Sequence, residues 1–320
     1  MKAEVKPRIN LEGRTKLETV IPLSTPYLVF VDPSDVCNQK CPMCPSGSRT
    51  ALKQAKRKPQ LMDFRLYKKI ITDLANMPEP VKTLRLYKDG EPLLNHHFPG
   101  MVAFAKATSR FGQIDTTTNG SVLGMSLIKD IVKAGLDKII ISVPQKYHHT
   151  NLTRMVAYLY GYGRGRCEVY VKTIGDGMSD EQKGQFYKDF GDVSDRIFIE
   201  NVAPCWPGYD VGSVGTRGIY NQELTREVHV CPYIFYSSAI NSNGTVSLCF
   251  LDWRHQMIIG DLKTESFKDV WGSALLRAAQ KAHLTGGRVD MGFCNVCGQM
   301  KYGAPDDLDL YAEDILRRLL

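Results

Sequence analysis

Three cysteines fall within eight residues of the stretch "DVCNQKCPMCPSG": Cys37, Cys41 and Cys44. Thiolates are soft ligands that select zinc, copper(I) or an iron–sulfur cluster. Three is one short of the four ligands of a structural zinc site, and one more than a redox Cys-x2-Cys pair requires. A [4Fe–4S] cube gives the number a use: three thiolates hold three irons and leave the fourth open to a small molecule. A zinc or redox site using Cys41 and Cys44, with Cys37 incidental, is the rival chemistry of the same residues. A second set, Cys231, Cys249, Cys294 and Cys297, has a full complement of four. By count alone it suits a zinc ion or a second, fully ligated cluster equally.

These residues need a frame. "YLVFVD" (27–32), "KTLRLY" (82–87), "GQIDTTTNG" (112–120), "DKIIISV" (137–143), "CEVYVKTI" (167–174) and "DRIFIEN" (195–201) read as strands. Helical patterns stand between several of them, at 63–77 behind an Asp cap, at 97–112, at 126–135 closed by Gly135, and at 179–193. Alternating strands and helices predict an α/β fold, a partial (β/α)6 TIM-type barrel or an open parallel sheet. Chemistry then belongs at the C-terminal ends of the strands, and the Cys37 group directly follows the first one. Near residue 205 the pattern changes to Gly- and Pro-rich sequence. A hairpin with an Asn-Gly turn at 243–244 follows, then a helix over 266–283, the second cysteine pair, and a helix near the C-terminus. The division predicted is an N-terminal extension (1–22), a barrel (23–204), a linker (205–225) and a smaller C-terminal module (226–320).

The spacing Cys-x3-Cys-x2-Cys resembles the signature of the radical S-adenosylmethionine (radical SAM) superfamily. The resemblance implies that SAM chelates the open iron of a [4Fe–4S] cluster and is reductively cleaved to a 5′-deoxyadenosyl radical that abstracts a substrate hydrogen. It also implies SAM contacts. "YKDGEPLLN" after the second strand supplies Asp89, Gly90 and Glu91 where the family has a Gly-Gly-Glu-like turn: glycine lets the backbone approach the ligand, and a carboxylate meets an ammonium. Thr118, Asn119 and Ser142 fall where the family places ribose and carboxylate contacts. Met43 replaces the usual aromatic residue before the third cysteine, and its polarizable thioether can still meet a ring.

With that motif, the C-terminal module resembles the SPASM/twitch extensions that carry auxiliary [4Fe–4S] clusters. Its four-cysteine layout is similar to that of the twitch-bearing aminocyclitol (2-deoxy-scyllo-inosamine) dehydrogenases. This implies oxidation of a secondary alcohol of a sugar, cyclitol or similar small molecule, with the auxiliary cluster accepting an electron and a flavodoxin or ferredoxin supplying one. The rival is a peptide- or protein-modifying maturase. Against it, only 36 residues precede Cys37, too few for a leader-binding domain, and the seven-cysteine extension is absent. A zinc-stabilised scaffold or binding protein is the non-enzymatic reading.

Candidate proton acceptors are His96 and His97, which equally suit a helix start, and Lys172, which equally suits a carboxylate pair. Cys167 reads as core, Cys205 has no role, and Trp206 is either a packing anchor or a substrate wall. The composition, 320 residues, 43% hydrophobic, 23% charged and net +7, allows a sizeable core and fits an anionic substrate or cofactor. It does not favour nucleic acid, because the basic run at 53–58 is short and reads as a solvated loop, with phosphate binding as its alternative. No secretory signal or membrane-spanning run is present, so the cytoplasm is expected, and nine cysteines without an export signal read as ligands before disulfides.

Overall fold

In the computed structural model, which describes residues 1–145, 149–212, 214–224 and 226–319 (149 and 150 by backbone alone), alternate residues of the central strands are buried against helices. The elements run β1 (Glu4–Val5), β2 (Leu28–Val31), α1 (Arg49–Gln54), α2 (Phe64–Ala75), β3 (Val81–Arg85), α3 (Phe98–Ala107), β4 (Phe111–Thr118), α4 (Met125–Ala134), β5 (Lys138–Ser142), α5 (His149–Gly163), β6 (Glu168–Ile174), α6 (Asp180–Phe190) and β7 (Arg196–Glu200). Strands β2 to β7 are parallel neighbours in chain order, the arrangement of the expected partial barrel. Ile139, Ile141, Val169, Val171 and Ile197 point to the helix layer and are fully or almost fully buried. Each contributes roughly 1.5–3 kcal/mol of burial.

Local signals set the boundaries. Asp63 caps α2 by accepting from the Leu66 amide. Gly135, left-handed at φ 90°, closes α4, and Ser179 and Gln182 form a capping box at α6. Helix α3 ends at Ala107, earlier than its apolar pattern suggests, because the chain turns through Thr108 and Ser109 (φ 53°) and enters β4 at Phe111.

The C-terminal part contains α7 (Tyr233–Tyr236), β8 (Ser237–Ile240), β9 (Thr245–Ser247), β10 (Ile258–Asp261), α8 (Phe267–Trp271), α9 (Ala274–Leu284), α10 (Gly292–Asn295), α11 (Gln299–Tyr302) and α12 (Ala312–Leu319). The hairpin turns where expected, with Gly244 at φ 88°. Its first strand pairs in parallel with β2, so one ten-stranded sheet runs from the barrel into the C-terminal part. At the other edge β1 of the N-terminal extension pairs with β7. The single helix predicted over 266–283 is two, α8 and α9, broken at Gly272 where Ser273 starts a new cap. The C-terminal helix covers only α12, after a stretch whose Asp309 accepts from the His229 and Val230 amides; Leu320, at its expected end, and residues 213 and 225 of the expected linker lie outside the described residues.

Candidate active site

The loop after β2 carries Cys37, Cys41 and Cys44, all free and half-buried. It coils tightly: the Cys44 amide donates to the Cys41 carbonyl (3.1 Å) and the Gly47 amide to that of Cys44 (3.0 Å). A Cβ on Gly47 would lie 2.7 Å from the Cys41 carbonyl oxygen, so glycine is required for the coil. The three thiols influence one another electrostatically, and burial pushes each up, Cys44 to about 11. Such thiols become thiolates against a concentrated positive charge, which the irons of a cluster supply. Three half-buried, electrostatically coupled thiols on one loop fit that group.

Four segments converge on this loop. Asn38 accepts from the Asn119 side-chain amide (2.9 Å) and donates to Ser121 Oγ (2.8 Å), which brings in the turn after β4. The Cys37 thiol is further raised by the nearby Glu91 carboxylate, and the Cys41 thiol is lowered by the Lys172 ammonium. Tyr209, from the linker, donates its hydroxyl to the Pro42 carbonyl (3.0 Å). Met43 is half-buried on the loop itself, and Ser142 ends β5 in register with Lys172 of β6.

The Asp89-Gly90-Glu91 turn is distributed among three tasks. A Cβ on Gly90 would lie 2.2 Å from the Ser34 carbonyl oxygen and 2.5 Å from that of Val36. The glycine thus permits close approach to the backbone of the cysteine loop, where the sequence suggested approach to a ligand. The Glu91 amide donates to the Val36 carbonyl (2.9 Å), stapling turn to loop. The buried Glu91 carboxylate accepts from Thr118 Oγ1 (2.6 Å) and from the Asn119 (2.7 Å) and Leu93 (3.0 Å) amides. Burial raises its pKa while these bonds oppose the rise. Asp89 is fully buried and turned toward cations: Lys88 Nζ at 2.7 Å, His255 Nε2 at 2.9 Å and Arg57 Nη1 at 3.2 Å. Desolvation alone would raise its carboxyl, but Lys88, Arg57 and His255 hold it well below the usual range. The basic run at 53–58 is therefore not simply a solvated loop, since its Arg57 is buried between Asp35 (2.7 Å) and Asp89.

The inward face of the strands is polar. Phe30, Arg85, Asp115 and Lys138 stand in register across β2 to β5. Tyr170 lies between Lys138 (4.9 Å) and Arg196 (5.0 Å) as a cation–π partner of both. Glu200 at the end of β7 binds Lys172 (2.8 Å) and Arg8 (2.8 Å), and the two cations overcome its desolvation to lower its carboxyl. Both Asp115 oxygens and the Thr117 hydroxyl are buried without a hydrogen bond among the described residues. Of the three candidate bases, Lys172 lies on this face. His96 and His97 sit exposed at the start of α3, with His97 stacked on Phe64 of α2 at 5.1 Å, so the helix-start alternative describes them. Arg8, Arg85, Asp115 and Tyr209 escaped the sequence reading. Arg85 and Asp115 were visible as charges inside strands; nothing in the sequence marks Arg8.

The second cysteine set comes together in the C-terminal part. Cys231, Cys249 and Cys294 are buried, Cys297 half-buried, and their thiols act on one another, with burial pushing Cys231 and Cys294 to about 12. The Leu251 amide donates to Cys249 Sγ (3.4 Å). Cys205 is also here: the Cys297 thiol faces its carbonyl (3.7 Å), and its side chain packs with Cys249, Leu251 and Trp206, which makes Trp206 a packing residue. Among the described residues no three His, Cys, Asp or Glu side chains close round a single-ion position. The ligands of a cube bind separate irons and stand wider apart than ligands of one ion.

A family model described as SPASM, an iron–sulfur cluster-binding domain, matches residues 231–298, which contain all four of these cysteines. BtrN, solved in complex with AdoMet and 2-DOIA, superposes over 88% of this chain and 97% of its own, with a TM-score of 0.58 at 18% identity. Residues 231–298 form a SPASM-type iron–sulfur cluster-binding domain, and the chain shares the fold of BtrN. Two other solved structures share its fold. anSMEcpe with bound AdoMet covers 91% of this chain and 95% of its own (TM-score 0.58, 11% identity). Streptococcus suis SuiB bound to its precursor peptide SuiA covers 83% and 69% (TM-score 0.61, 15% identity). In sequence the protein is similar to GTP 3',8-cyclase of Chlorobaculum tepidum (strain ATCC 49652 / DSM 12025 / NBRC 103806 / TLS), 34% identical over 38% of this chain, and spans about a third (34%) of that relative's length. Among the described residues no helix is long and apolar enough to cross a membrane.

Proposed function

We propose that this chain is a radical SAM enzyme that oxidises a secondary alcohol of a sugar, cyclitol or similar polar small molecule to a ketone. The observation that carries the reading is two separate thiol groups, one of three whose Cys41 lies beside Lys172 of the polar strand face and one of four in the C-terminal part. Cys37, Cys41 and Cys44 would hold a [4Fe–4S] cluster with SAM, and Cys231, Cys249, Cys294 and Cys297 an auxiliary [4Fe–4S] cluster. When bound, these cofactors supply a 5′-deoxyadenosyl radical that takes the carbinol hydrogen and an acceptor for the remaining electron. Met43, Asp89, Gly90, Glu91, Thr118, Asn119 and Ser142 shape the SAM side, Asp89 and Gly90 by fixing the loop and Glu91 by holding Thr118 and Asn119 in place. Lys172 and Glu200 form the acid–base pair beside Cys41 that receives the hydroxyl proton. Small-molecule oxidation is favoured over peptide modification by the four-cysteine module.

The test is iron, sulfide and zinc content of anaerobically reconstituted protein beside the Cys37/Cys41/Cys44→Ala variant, followed by a panel of polyols and peptides. About eight irons falling to about four are expected, two [4Fe–4S] clusters and then one, with ketone formed from a polyol. Four irons with one retained zinc would remove the electron-acceptor role. A modified peptide in place of a ketone would overturn the substrate class.

A further inference from the structure

The stretch after α1 and the C-terminal part line a cavity of about 430 Å³ that the proposed chemistry does not use. Its lining includes Lys56, Arg57, Lys58, Arg254 and Lys263, with Asp35 as the one carboxylate. Both Asp35 oxygens are taken, one by Arg57 (2.7 Å) and the other by the Gln60 amide. Arg57 is spent in the same way, on Asp35, Asp89 and the Trp253 carbonyl. Lys56, Lys58 and Lys263 are exposed and make no ion pair among the described residues. Arg254 is braced: its guanidinium lies over the Trp253 ring (4.9 Å), and Nη2 donates to the Gly208 carbonyl (2.9 Å). A Cβ on Gly208, left-handed at φ 64°, would lie 2.9 Å from that nitrogen, so the close fit depends on glycine. Nε and Nη1 of Arg254 have no partner among the described residues.

The lining selects the ligand. Four cations are uncompensated while the one carboxylate is fully engaged, so the ligand is an anion. A phosphate group carries about 1.5–2 negative charges at pH 7, and four cations therefore match two such groups. A braced guanidinium with free nitrogens presents the fork that phosphate oxygens accept, and the lysines add point charges. The volume is that of a small-molecule site and leaves more room than a single phosphate ion fills. A nucleic-acid strand would want exposed rings for its bases, whereas Trp253 is buried beneath Arg254. A protein partner would want apolar anchors, and among the described residues Ala55 is the only apolar side chain in the lining. Lys56 and His255 also line the cavity, both left-handed at φ 53°, a strained conformation that gathers at ligand clamps. We infer that this cavity binds a small ligand carrying two phosphate groups, at a site that none of the seven grouped cysteines lines. Such a ligand binds only the folded chain and so stabilises it.

The experiment is anaerobic calorimetry of pyrophosphate, fructose 1,6-bisphosphate and inorganic phosphate on cluster-loaded protein, wild type beside Lys58→Gln/Lys263→Gln and Arg254→Gln. At least one of the two-phosphate probes is expected to bind one per chain, about tenfold or more tighter than inorganic phosphate, because it engages cations that one phosphate leaves unmatched. Each variant should weaken that binding about tenfold or more and keep the wild-type iron content. The same probe should raise the urea midpoint of the wild type more than that of either variant. Tighter pyrophosphate would assign adjacent phosphates, and tighter fructose 1,6-bisphosphate would assign phosphates set apart on an organic frame. Should Arg254→Gln lose iron, the lysine variant decides, since both of its changes are at exposed positions. Two-phosphate binding that the lysine variant leaves undiminished would overturn the inference, because the ligand would then sit elsewhere on the chain. Absence of binding by both two-phosphate probes at millimolar concentration would overturn it as well. A short oligonucleotide or an acidic peptide that binds more tightly than either probe, and loses its binding in the variants, would overturn it in favour of a macromolecular partner.

Discussion

Nε2 of His255 stands 2.9 Å from Oδ2 of Asp89, which joins the segment following Cys249 to the turn after β3. The same oxygen meets Lys88 and Arg57, and Arg57 reaches on to Asp35 in the loop before Cys37. The elements that carry the two thiol groups are thus tied by one buried carboxylate. Removing its charge strands the almost fully buried Lys88 ammonium and leaves Arg57 with Asp35 alone, so Asp89→Asn is expected to cost about 3–5 kcal/mol. His255→Asn, which keeps a polar partner and tolerates the left-handed φ of 53°, should cost about 1 kcal/mol. Urea midpoints of cluster-loaded protein measure both, and equal midpoints for the two variants would contradict the central place of Asp89.

Gly90 is a sharper probe of the cysteine loop. An added Cβ would meet three backbone atoms of residues 34 to 36 within 2.7 Å, none of which can swing aside as a side chain can. Gly90→Ala is therefore expected to displace the loop and cost the first cluster while leaving the second. Iron should fall from about eight to about four per chain, one [4Fe–4S] cluster remaining. Full iron in this variant would show that the loop accommodates the methyl group.

His283 on α9 is buried, and neither ring nitrogen has a hydrogen-bond partner among the described residues. Desolvation, reinforced by Arg288, lowers its pKa to about 4. Between that value and an unfolded value of about 6.5 the unfolded chain binds the extra proton, so this residue makes stability fall as pH drops. The loss from this one group is about 2 kcal/mol by pH 5 and about 3 kcal/mol once the pH is below 4. His283→Leu should remove this component, leaving a shallower slope in urea unfolding between pH 7 and pH 5. An unchanged slope would mean that His283 gains a partner on acidification.

The extent to which the sequence disclosed this arrangement follows from the range of the interactions involved. Strands such as Lys138–Ser142 and caps such as Asp63 and Gly135 are written in a few adjacent residues, and they were read where they occur. Cysteine spacing is equally local on the loop, and the count of four in the C-terminal part sufficed to group residues 66 positions apart in the chain. The contacts that escaped are long-range pairings of ordinary residues. Arg8 meets Glu200 because β1 adds a strand beside β7, and His255 meets Asp89 because β8 adds one beside β2. Cys205 joins the second thiol group only because the linker folds back over Cys249. Neither edge pairing leaves a period or a motif in the chain.

The pairing of Lys172 with Glu200 yields the test that bears most directly on the chemistry. Their ion pair (2.8 Å) lies on the strand face next to Cys41, and Arg8 fixes the other Glu200 oxygen at 2.8 Å. If this pair receives the hydroxyl proton, its loss should leave hydrogen abstraction intact and block completion of the oxidation. Lys172→Met is expected to release 5′-deoxyadenosine while ketone formation drops by about 10²-fold or more, the usual contribution of a positioned acid–base group. The diagnostic quantity is therefore the ratio of 5′-deoxyadenosine to ketone, which should rise steeply in the variant. Arg8→Gln, which leaves the Lys172–Glu200 contact in place, should change that ratio far less. A parallel decline of both products in Lys172→Met would instead place Lys172 in support of the cysteine loop, acting on the Cys41 thiol, and the proton acceptor would have to be sought elsewhere on the strand face.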